Sequence, residues 1–317
     1  MRTQKNLAIY LGVFFLLFIG FSSQLKAQSN SPLIGSWDLE IQYGDTILPS
    51  WLEVEFSGTR TLIGRYVSFA GSARPIAEVF ENGDSFNFSI PPQWMGNQYM
   101  HLSGTRDGDT LQGNIIMNTG QAVTFTGVRA PSLEREAPKK WTKPQPIFDG
   151  ESLAGWKPQT TNRSNQWKAV DGVLTNPESG VNLMTEEVYD DFKLHLEFRY
   201  PEGSNSGVYL RGRYEVQVED NYGRVPNSHY IGGLYGFLTP NENASKPAGE
   251  WQTYDITLVG RRVTVVLNGK SVITDALIPG ITGGALDSKE GEPGPILLQG
   301  DHGPIEYRNL TISVPKD

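Results

Sequence analysis

Residues 204–220 read SNSGVYLRGRYEVQVED, and this stretch predicts two β-strands joined by a short turn. Bulky apolar residues recur through both halves, and Arg211-Gly212-Arg213 supplies the turn between them. Side chains of a strand alternate between its two faces. Glu215, Gln217 and Glu219 should therefore share one face, and the apolar residues between them should lie on the other.

The row formed by Glu215, Gln217 and Glu219 allows two interpretations. An ordinary solvated strand face more often carries threonine, serine and lysine than two carboxylates and an amide. Three groups rich in hydrogen-bond acceptors along one ribbon could instead line a cleft and hold a polyhydroxylated ligand. The alternative is a solvent-exposed face of an antiparallel sheet, which is polar for no functional reason.

The composition of the 317-residue chain favours an all-β protein of one or two domains. The 35 glycines and 20 prolines suit short strands and many turns, and long helical periodicity is hard to find. The formal net charge is −8, and no basic run lies beyond the N-terminal segment. Nucleic acid and anionic membrane surfaces are therefore poor partner candidates, whereas neutral, sugar-like ligands are not excluded.

The N-terminal segment, residues 1–27, has the pattern of a secretory signal peptide. Arg2 and Lys5 precede an apolar run from Leu7 to Phe21, which is short for a membrane span, and small residues lead to Ala27. Cleavage near Ala27 would give an exported protein, periplasmic or extracellular; an uncleaved anchor is the alternative. The chain has no cysteine, so neither a lipidated cysteine nor a disulfide is expected.

Residues 32–130 predict a first domain of several short strands. Alternating segments such as 51–56 are followed by turn signals, among them Arg106-Asp107-Gly108-Asp109. A meander closed into a small barrel, or a small sandwich, is expected. The Gly35-Ser36-Trp37 opening resembles that of lipocalin-type barrels, with Trp37 closing the barrel base. No chemistry is assigned to this domain.

Residues 131–146 are rich in proline and charge and predict a semi-stiff linker, across which we expect few contacts. The second domain, residues 147–317, again reads as antiparallel β-structure, for which two packed curved sheets in a jelly roll are the economical architecture. Within it, residues 191–200 alternate cleanly. If that strand lies beside the strand of Glu215, the carboxylates of Glu197 and Glu215 share a face.

A set of motifs in the second domain resembles the 3-keto-disaccharide hydrolase domain family, which is related to concanavalin-A-like lectins and glucanases. In chain order the motifs are FDGESLAGW (148–156), NSGVYLRGRYEVQVED (205–220), GEWQTYDITLVGRRVTVVLNGK (249–270), GPILLQGDHG (294–303) and IEYRNLTI (305–312). The resemblance implies a jelly-roll sandwich with a sugar site on its concave face. It also implies cleavage of glycosides that are already oxidised to a ketone at the sugar C3.

The segment Glu215-Val216-Gln217-Val218-Glu219 is also similar to the Glu-x-Asp-x-Glu strand of laminarinase-type glucanases. Those enzymes use the outer glutamates as nucleophile and acid. Here Gln217 stands at the middle position, and an amide cannot share a proton with its neighbours. The departure argues against an ordinary retaining mechanism.

Keto-sugar chemistry fits this difference, because a ketone at C3 acidifies the hydrogen on C2. Removal of that hydrogen, elimination of the C1 leaving group and addition of water break the glycosidic bond. Such a site needs a base, a group that stabilises the enolate oxygen and an acid. We select Glu215 as the candidate base, and Arg211, His302 or a bound cation could stabilise the oxygen.

The remaining candidates bind substrate or a divalent cation. The residues expected to hold substrate hydroxyls are Asn205, Gln217, Glu197, Gln299 and Arg308. Asp220 and Glu219 compete for the role of acid or metal ligand, and Glu215, His302 and Asp220 are an alternative metal-ligand set. Structural roles are the alternative for several of them, since Arg211 could only flank a turn and Gln299 could bond backbone.

Two other function classes are compatible with the sequence. Lectins share this fold, so the sandwich could bind carbohydrate without catalysis. The chain could also be a structural surface module whose first domain is the binder. The clustered Glu215, Gln217 and Glu219 favour the enzyme.

Overall fold

The computed structural model describes residues 31–93 and 97–316, which form only β-strands, turns and loops. The expected signal peptide lies outside these residues. Within the described part of the chain, no helix is long and apolar enough to cross a membrane. The prediction of an all-β chain, with a barrel followed by a jelly-roll sandwich, is confirmed.

The first unit is a closed barrel of eight antiparallel strands, each paired with the next in sequence, while β8 pairs with β1. Its strands are β1 Gly35–Tyr43, β2 Thr46–Ser57, β3 Thr61–Val67, β4 Arg74–Asn82, β5 Ser85–Ile90, β6 Met100–Asp107, β7 Thr110–Ile116 and β8 Ala122–Arg129. Alternation builds the core, as β5 shows by burying Phe86, Phe88 and Ile90 while the residues between them face solvent.

The second unit packs two antiparallel sheets face to face. Its strands are β9 Gln145–Pro146, β10 Trp156–Pro158, β11 Lys168–Val170, β12 Val173–Asn176, β13 Leu183–Thr185, β14 Phe192–Arg199, β15 Asn205–Leu210, β16 Tyr214–Glu219, β17 Gln252–Val259, β18 Arg262–Leu267, β19 Lys270–Leu277, β20 Leu297–Leu298 and β21 Ile305–Ser313. One sheet has the order β10-β13-β20-β15-β16. The other has the order β11-β12-β21-β14-β17-β18-β19, with β9 paired to β21.

The sandwich core lies between the sheets and is filled by the inward residues of both. Val208 and Val216 from the smaller sheet belong to the same buried cluster as Phe198 and Tyr254 from the larger one, where these two rings lie 4.6 Å apart. Alternation along β15 and β16 thus sends one side of each strand into the core. The other side of each strand can therefore carry the polar residues of a functional site.

The barrel and the sandwich share buried contacts, so the expectation that few contacts cross between them is wrong. Trp51, on the outer side of β2, belongs to the sandwich core cluster and packs edge-to-face on Phe237, with ring centroids 5.4 Å apart. Ser288 of the sandwich accepts a hydrogen bond from the backbone N–H of Ser50 and donates one to the carbonyl of Leu39. The Trp51 contact stabilises the protein, because removing the large apolar surface of an outward-facing tryptophan from water is favourable.

Candidate functional site

The hairpin of β15 and β16 fixes which side chains meet on the outer face of the smaller sheet. Arg211 and Gly212 both have positive φ angles, of 52° and 66°, and make the tight turn between the strands. The resulting register places three pairs on this face, namely Tyr209 opposite Glu215, Gly207 opposite Gln217, and Asn205 opposite Glu219.

Glu215 lies on this face and is buried, with 3% of its surface exposed. Oε2 of Glu215 lies 3.0 Å from the Tyr209 hydroxyl, which also lies 3.0 Å from the carbonyl oxygen of Gly283. A tyrosine hydroxyl has one proton and can donate to only one of them. All three groups are satisfied when a protonated Glu215 donates to Tyr209 and Tyr209 donates to Gly283.

The environment of Glu215 favours this protonated form. Burial is the main cause that raises the pKa of Glu215 to about 8, because a charged carboxylate is costly away from water. The hydrogen bond from Tyr209 and the nearby His302 lower this pKa in part, while the charge of Asp301 raises it. A carboxyl group that titrates near neutrality can both accept and return a proton during a reaction.

Asp301 and His302 form an ion pair in the loop that follows β20. Nδ1 of His302 lies 2.7 Å from Oδ1 of Asp301, and this hydrogen bond raises the pKa of His302 against the opposing effect of burial. The imidazole is half-exposed and interacts electrostatically with Glu215. The pair therefore orients the imidazole near the buried carboxyl and favours its protonated form.

Two amide side chains add neutral polar groups to the face. Gln217 is 3% exposed, and its Oε1 accepts a hydrogen bond from the backbone N–H of Val218. Oε1 of Gln299 is buried and has no hydrogen-bond partner among the described residues. A buried acceptor without a partner costs free energy, so a ligand hydroxyl that reached Gln299 would relieve that cost.

Glu219 and Asp220 are engaged in local hydrogen bonds at the end of β16. Oε2 of Glu219 accepts from the side chain of Asn221, and Oδ2 of Asp220 accepts from the backbone N–H of Gly203. Burial raises the pKa of Glu219. Within residues 31–93 and 97–316, no group of three or more His, Cys, Asp or Glu side chains is placed to hold a metal ion.

Glu197 and Arg308 lie away from this face, on the larger sheet. β14 pairs with β17 and β21, so the condition under which Glu197 and Glu215 would share a face is not met. The two residues bind each other in an ion pair of 2.6 Å. The guanidinium of Arg308 also stacks on Trp251, 3.9 Å from its ring centroid. Both side chains therefore stabilise the outer surface of the larger sheet.

Arg211 is also separate from the Glu215 face. Its buried guanidinium donates hydrogen bonds to Asp190, to the hydroxyl of Tyr214 and to the carbonyl of Gly260. These partners hold the hairpin turn against the larger sheet. Of the two side chains expected to stabilise an enolate oxygen, only His302 interacts with Glu215.

Tyr209 and Asp301 belong to the site but were not among the residues predicted from the sequence. Tyr209 stands among apolar residues and looks like part of the core, although the hairpin register alone would have placed it opposite Glu215. Asp301 directly precedes His302, and adjacent acid and imidazole side chains could have been recognised as a pair.

The sandwich is similar to a known domain family and to several solved structures. Residues 143–313 match the family described as the 3-keto-alpha-glucoside-1,2-lyase-like domain. A glycosyl hydrolase structure from Parabacteroides distasonis is 28% identical, with a TM-score of 0.47, over 56% of this chain and 92% of that chain. A second one from the same organism is 27% identical, with a TM-score of 0.39, over 50% of this chain and 98% of that chain.

A carbohydrate binding module from Bacillus subtilis is 13% identical, with a TM-score of 0.33, over 50% of this chain and 94% of that chain. The chain shows no match to a curated protein.

Proposed function

Since this chain belongs to the 3-keto-alpha-glucoside-1,2-lyase-like family, we propose that it cleaves the glycosidic bond of 3-keto-glycosides or 3-keto-disaccharides. The observation that carries this proposal is the buried pair of Tyr209 and Glu215, whose carboxyl has a pKa raised by burial to about 8. Abstraction of a carbon-bound proton next to a ketone is favoured by a base whose pKa lies near the working pH.

In the first step, ionised Glu215 takes the proton from C2 of the sugar. The electrons of the C2–H bond form the enolate, whose negative charge resides mainly on the C3 oxygen. The imidazolium of His302, oriented by Asp301, supplies positive charge near Glu215 and stabilises this oxygen. The remaining neutral donors and acceptors of the face, from Asn205, Gln217 and Gln299, hold the sugar hydroxyls.

In the second step, the enolate reforms the ketone and expels the group on C1. The C1–O bond breaks, a C1=C2 double bond forms, and the leaving oxygen receives a proton. Glu219 is the nearest acid along the same strand face, and its pKa is raised by burial, which favours its protonated form. Glu215 exchanges its proton with solvent while the unsaturated intermediate is present. Water then adds its oxygen to C1 and gives one proton back to Glu219, and Glu215 delivers a proton to C2, which completes a net hydrolysis.

The route of the proton is the direct test of this chemistry. Wild-type protein should be incubated with a 3-keto-disaccharide in D₂O, and the released 3-keto sugar analysed by proton NMR. We expect deuterium at C2 of the product, because the abstracted proton exchanges through Glu215. Cleavage with full retention of the original C2 hydrogen would contradict elimination and indicate direct displacement at C1. Binding without cleavage would favour the carbohydrate-binding alternative.

We also propose that the protein is exported after removal of residues 1–27. The charged start, the apolar run and the small residues up to Ala27 support this. Intact-mass measurement of the protein from the producing cell should give a chain that starts near Gln28. A mass that includes Met1 would contradict cleavage.

A further inference from the structure

A short segment beside β16, residues 231–235, extends the smaller sheet next to the base. The backbone N–H of Tyr235 donates to the carbonyl of Glu215 over 3.0 Å. The neighbouring residues Val216 and Leu234 form an antiparallel bridge, and both side chains are buried in the sandwich core. Successive residues of an extended chain face opposite sides, so Tyr235 lies beside Glu215 on the outer face.

Glu215 thus has a tyrosine on each side, but the two hydroxyl groups differ. Tyr209 is 2% exposed, and its hydroxyl is held between Glu215 and the carbonyl of Gly283. Tyr235 is partly exposed, and its hydroxyl makes no hydrogen bond within residues 31–93 and 97–316. A tyrosine hydroxyl can donate one hydrogen bond and accept others. The hydroxyl of Tyr235 is therefore available to a substrate, whereas that of Tyr209 is not.

The surroundings of Tyr235 fix its ring and keep its hydroxyl protonated. The ring packs edge-to-face on His229, with ring centroids 5.1 Å apart. Burial, together with the charges of Glu215 and Glu219, raises the pKa of Tyr235 to about 12. The hydroxyl therefore interacts with both carboxyl groups and carries its proton at neutral pH.

Glu215 and Glu219 lie far apart for two groups that act on neighbouring sugar atoms. They are four residues apart on β16, which separates their Cα atoms by about 13 Å in an extended strand. C2 and the leaving oxygen on C1 are only two bonds apart. Moreover, Oε2 of Glu219 accepts a hydrogen bond from Asn221, which follows the end of β16. Tyr235 lies directly opposite Glu215, where facing side chains have their β-carbons about 5 Å apart.

His302 and Tyr235 belong to opposite sides of β16. His302 lies in the loop after β20, which pairs with β15, whereas Tyr235 lies on the segment beyond β16. In a 3-keto sugar, C3 and C1 likewise lie on opposite sides of C2. With the C2 hydrogen at Glu215 and the C3 oxygen at His302, the leaving oxygen on C1 faces Tyr235.

We propose that Tyr235 is the catalytic residue that protonates the leaving oxygen, and that it recovers its proton from Glu219. The inference rests on the proposed function and deepens it. As the C1–O bond breaks, its electron pair stays on the leaving oxygen, which takes the proton of the Tyr235 hydroxyl. The tyrosine oxygen then takes the proton of Glu219, and the water that adds to C1 returns a proton to Glu219.

The kinetic test uses two substrates that differ in how much the leaving oxygen needs a proton. A 4-nitrophenyl 3-keto-glucoside releases a stable anion, whereas a 3-keto-disaccharide releases a sugar alkoxide that must be protonated. Values of kcat/KM would be measured for wild type, Tyr235→Phe and Tyr43→Phe. Phenylalanine keeps the ring that packs on His229, and Tyr43 is an exposed tyrosine of β1 that serves as control. Thermal unfolding would confirm that each variant is folded.

Tyr235→Phe should lower kcat/KM about 100-fold on the disaccharide, as expected for loss of an acid catalyst, and less than about 3-fold on the nitrophenyl substrate. Tyr43→Phe should change neither value. Equal losses on both substrates would overturn the proposal, because a structural role or a contact with the C3 oxygen affects both. Unchanged turnover of the disaccharide by Tyr235→Phe would also overturn it.

Exchange of the C2 hydrogen separates this proposal from the proposed function. A 3-keto sugar that carries hydrogen in place of the leaving group cannot be cleaved, but Glu215 can still remove its C2 hydrogen. In D₂O, proton NMR should show the same catalysed loss of the C2 signal with wild type and Tyr235→Phe, and none with Glu215→Gln. Loss of this exchange in Tyr235→Phe would overturn the assignment to the leaving oxygen. If wild type catalyses neither exchange nor cleavage, the proposed function fails and the role of Tyr235 fails with it.

Discussion

The carboxylate of Glu215 occupies the space that a side chain at Gly207 would need, since a β-carbon there would overlap Oε1 of Glu215. Gly207 lies on the neighbouring strand, opposite Gln217, and is therefore diagonal to Glu215 across the hairpin. Its missing side chain leaves room for the base to lie flat against the sheet. Gly207 is thus part of the geometry that positions Glu215.

Gly207→Ala should displace the Glu215 carboxylate and lower kcat by about 100-fold, the effect of a misplacement of roughly 1 Å. The fold should survive, because alanine is tolerated in a strand and the far end of a glutamate side chain can move. Turnover of a 3-keto-disaccharide and circular dichroism would be measured together. Gly291→Ala is the control, since a β-carbon there makes an ordinary 3.5 Å contact with Pro131. Full activity of Gly207→Ala would show that the position of Glu215 is unimportant.

The pH dependence of turnover should report the ionisation of Glu215. Burial raises the pKa of Glu215 to about 8, so kcat/KM should increase as pH rises towards this value, where the basic form becomes abundant. At still higher pH kcat/KM should fall, because His302 and Glu219 lose the protons that the mechanism requires. The hydrogen bond from Tyr209 lowers the pKa of Glu215, so Tyr209→Phe should move this rise to still higher pH. A rise centred near pH 4.5, or one that Tyr209→Phe leaves in place, would be incompatible with this assignment.

The barrel–sandwich interface should make stability depend on pH through Asp38. Burial, together with the charge of Glu290, raises the pKa of Asp38 from 3.8 to about 9. The folded protein therefore keeps a proton that the unfolded chain releases, and the free energy of unfolding should fall as pH rises from about 4 to about 9.

Asp38→Asn removes this titration, so its free energy of unfolding should fall less steeply over the same pH range. Urea unfolding at several pH values would measure the slope, with the exposed Asp45→Asn as control. Identical slopes for wild type and Asp38→Asn would show that Asp38 does not carry the proton.

Trp51 and Phe237 offer a measure of how strongly the barrel and the sandwich are coupled. Trp51→Ala should destabilise the protein by about 3–5 kcal/mol, as expected for a buried tryptophan. A double-mutant cycle with Phe237→Ala should yield a coupling free energy of about 0.5–1.5 kcal/mol for the edge-to-face pair. A coupling of zero would mean that the two rings do not interact in solution and that this pair does not couple the two units.

Alternation along the strands made the local structure predictable. The pattern of residues 214–219 placed Glu215, Gln217 and Glu219 on one face, and the structure has them there, because a strand can bury only one side against the sandwich core. The closed barrel followed for a similar reason, since successive short strands joined by tight turns pair with their neighbours. These features depend on residues that are close together in the chain, so they can be predicted from the sequence.

The arrangement of the sheets was not predictable in the same way. Alternation in residues 191–200 shows that Glu197 faces outward from its own sheet, but it does not show which sheet that is. Glu197 and Arg308 were therefore grouped with Glu215, although they belong to the opposite layer. The pairing of distant strands depends on the whole core, and a single sequence does not reveal it.

The contact between barrel and sandwich did leave a signal in the sequence. Trp51 lies on the side of β2 that also carries Glu53 and Glu55, while Leu52 and Val54 face the barrel core. A tryptophan on an otherwise charged face calls for a partner surface. The composition of the proline-rich linker favours two separate domains, and it therefore argued against a contact between them at Trp51.

The central claim is that Glu215 is the base in the cleavage of a 3-keto-glycoside, and Glu215→Gln tests it most directly. Glutamine keeps the size of the side chain and a hydrogen bond with Tyr209, but it cannot take up the C2 proton. Initial rates would be measured for wild type and variant on a 3-keto-disaccharide, with the unoxidised disaccharide as control substrate. Wild type should cleave the keto form far faster than the control, and the variant should lose about 10²–10⁴-fold of that rate while remaining folded. Full activity of Glu215→Gln, or equal cleavage of both sugars by wild type, would contradict the claim.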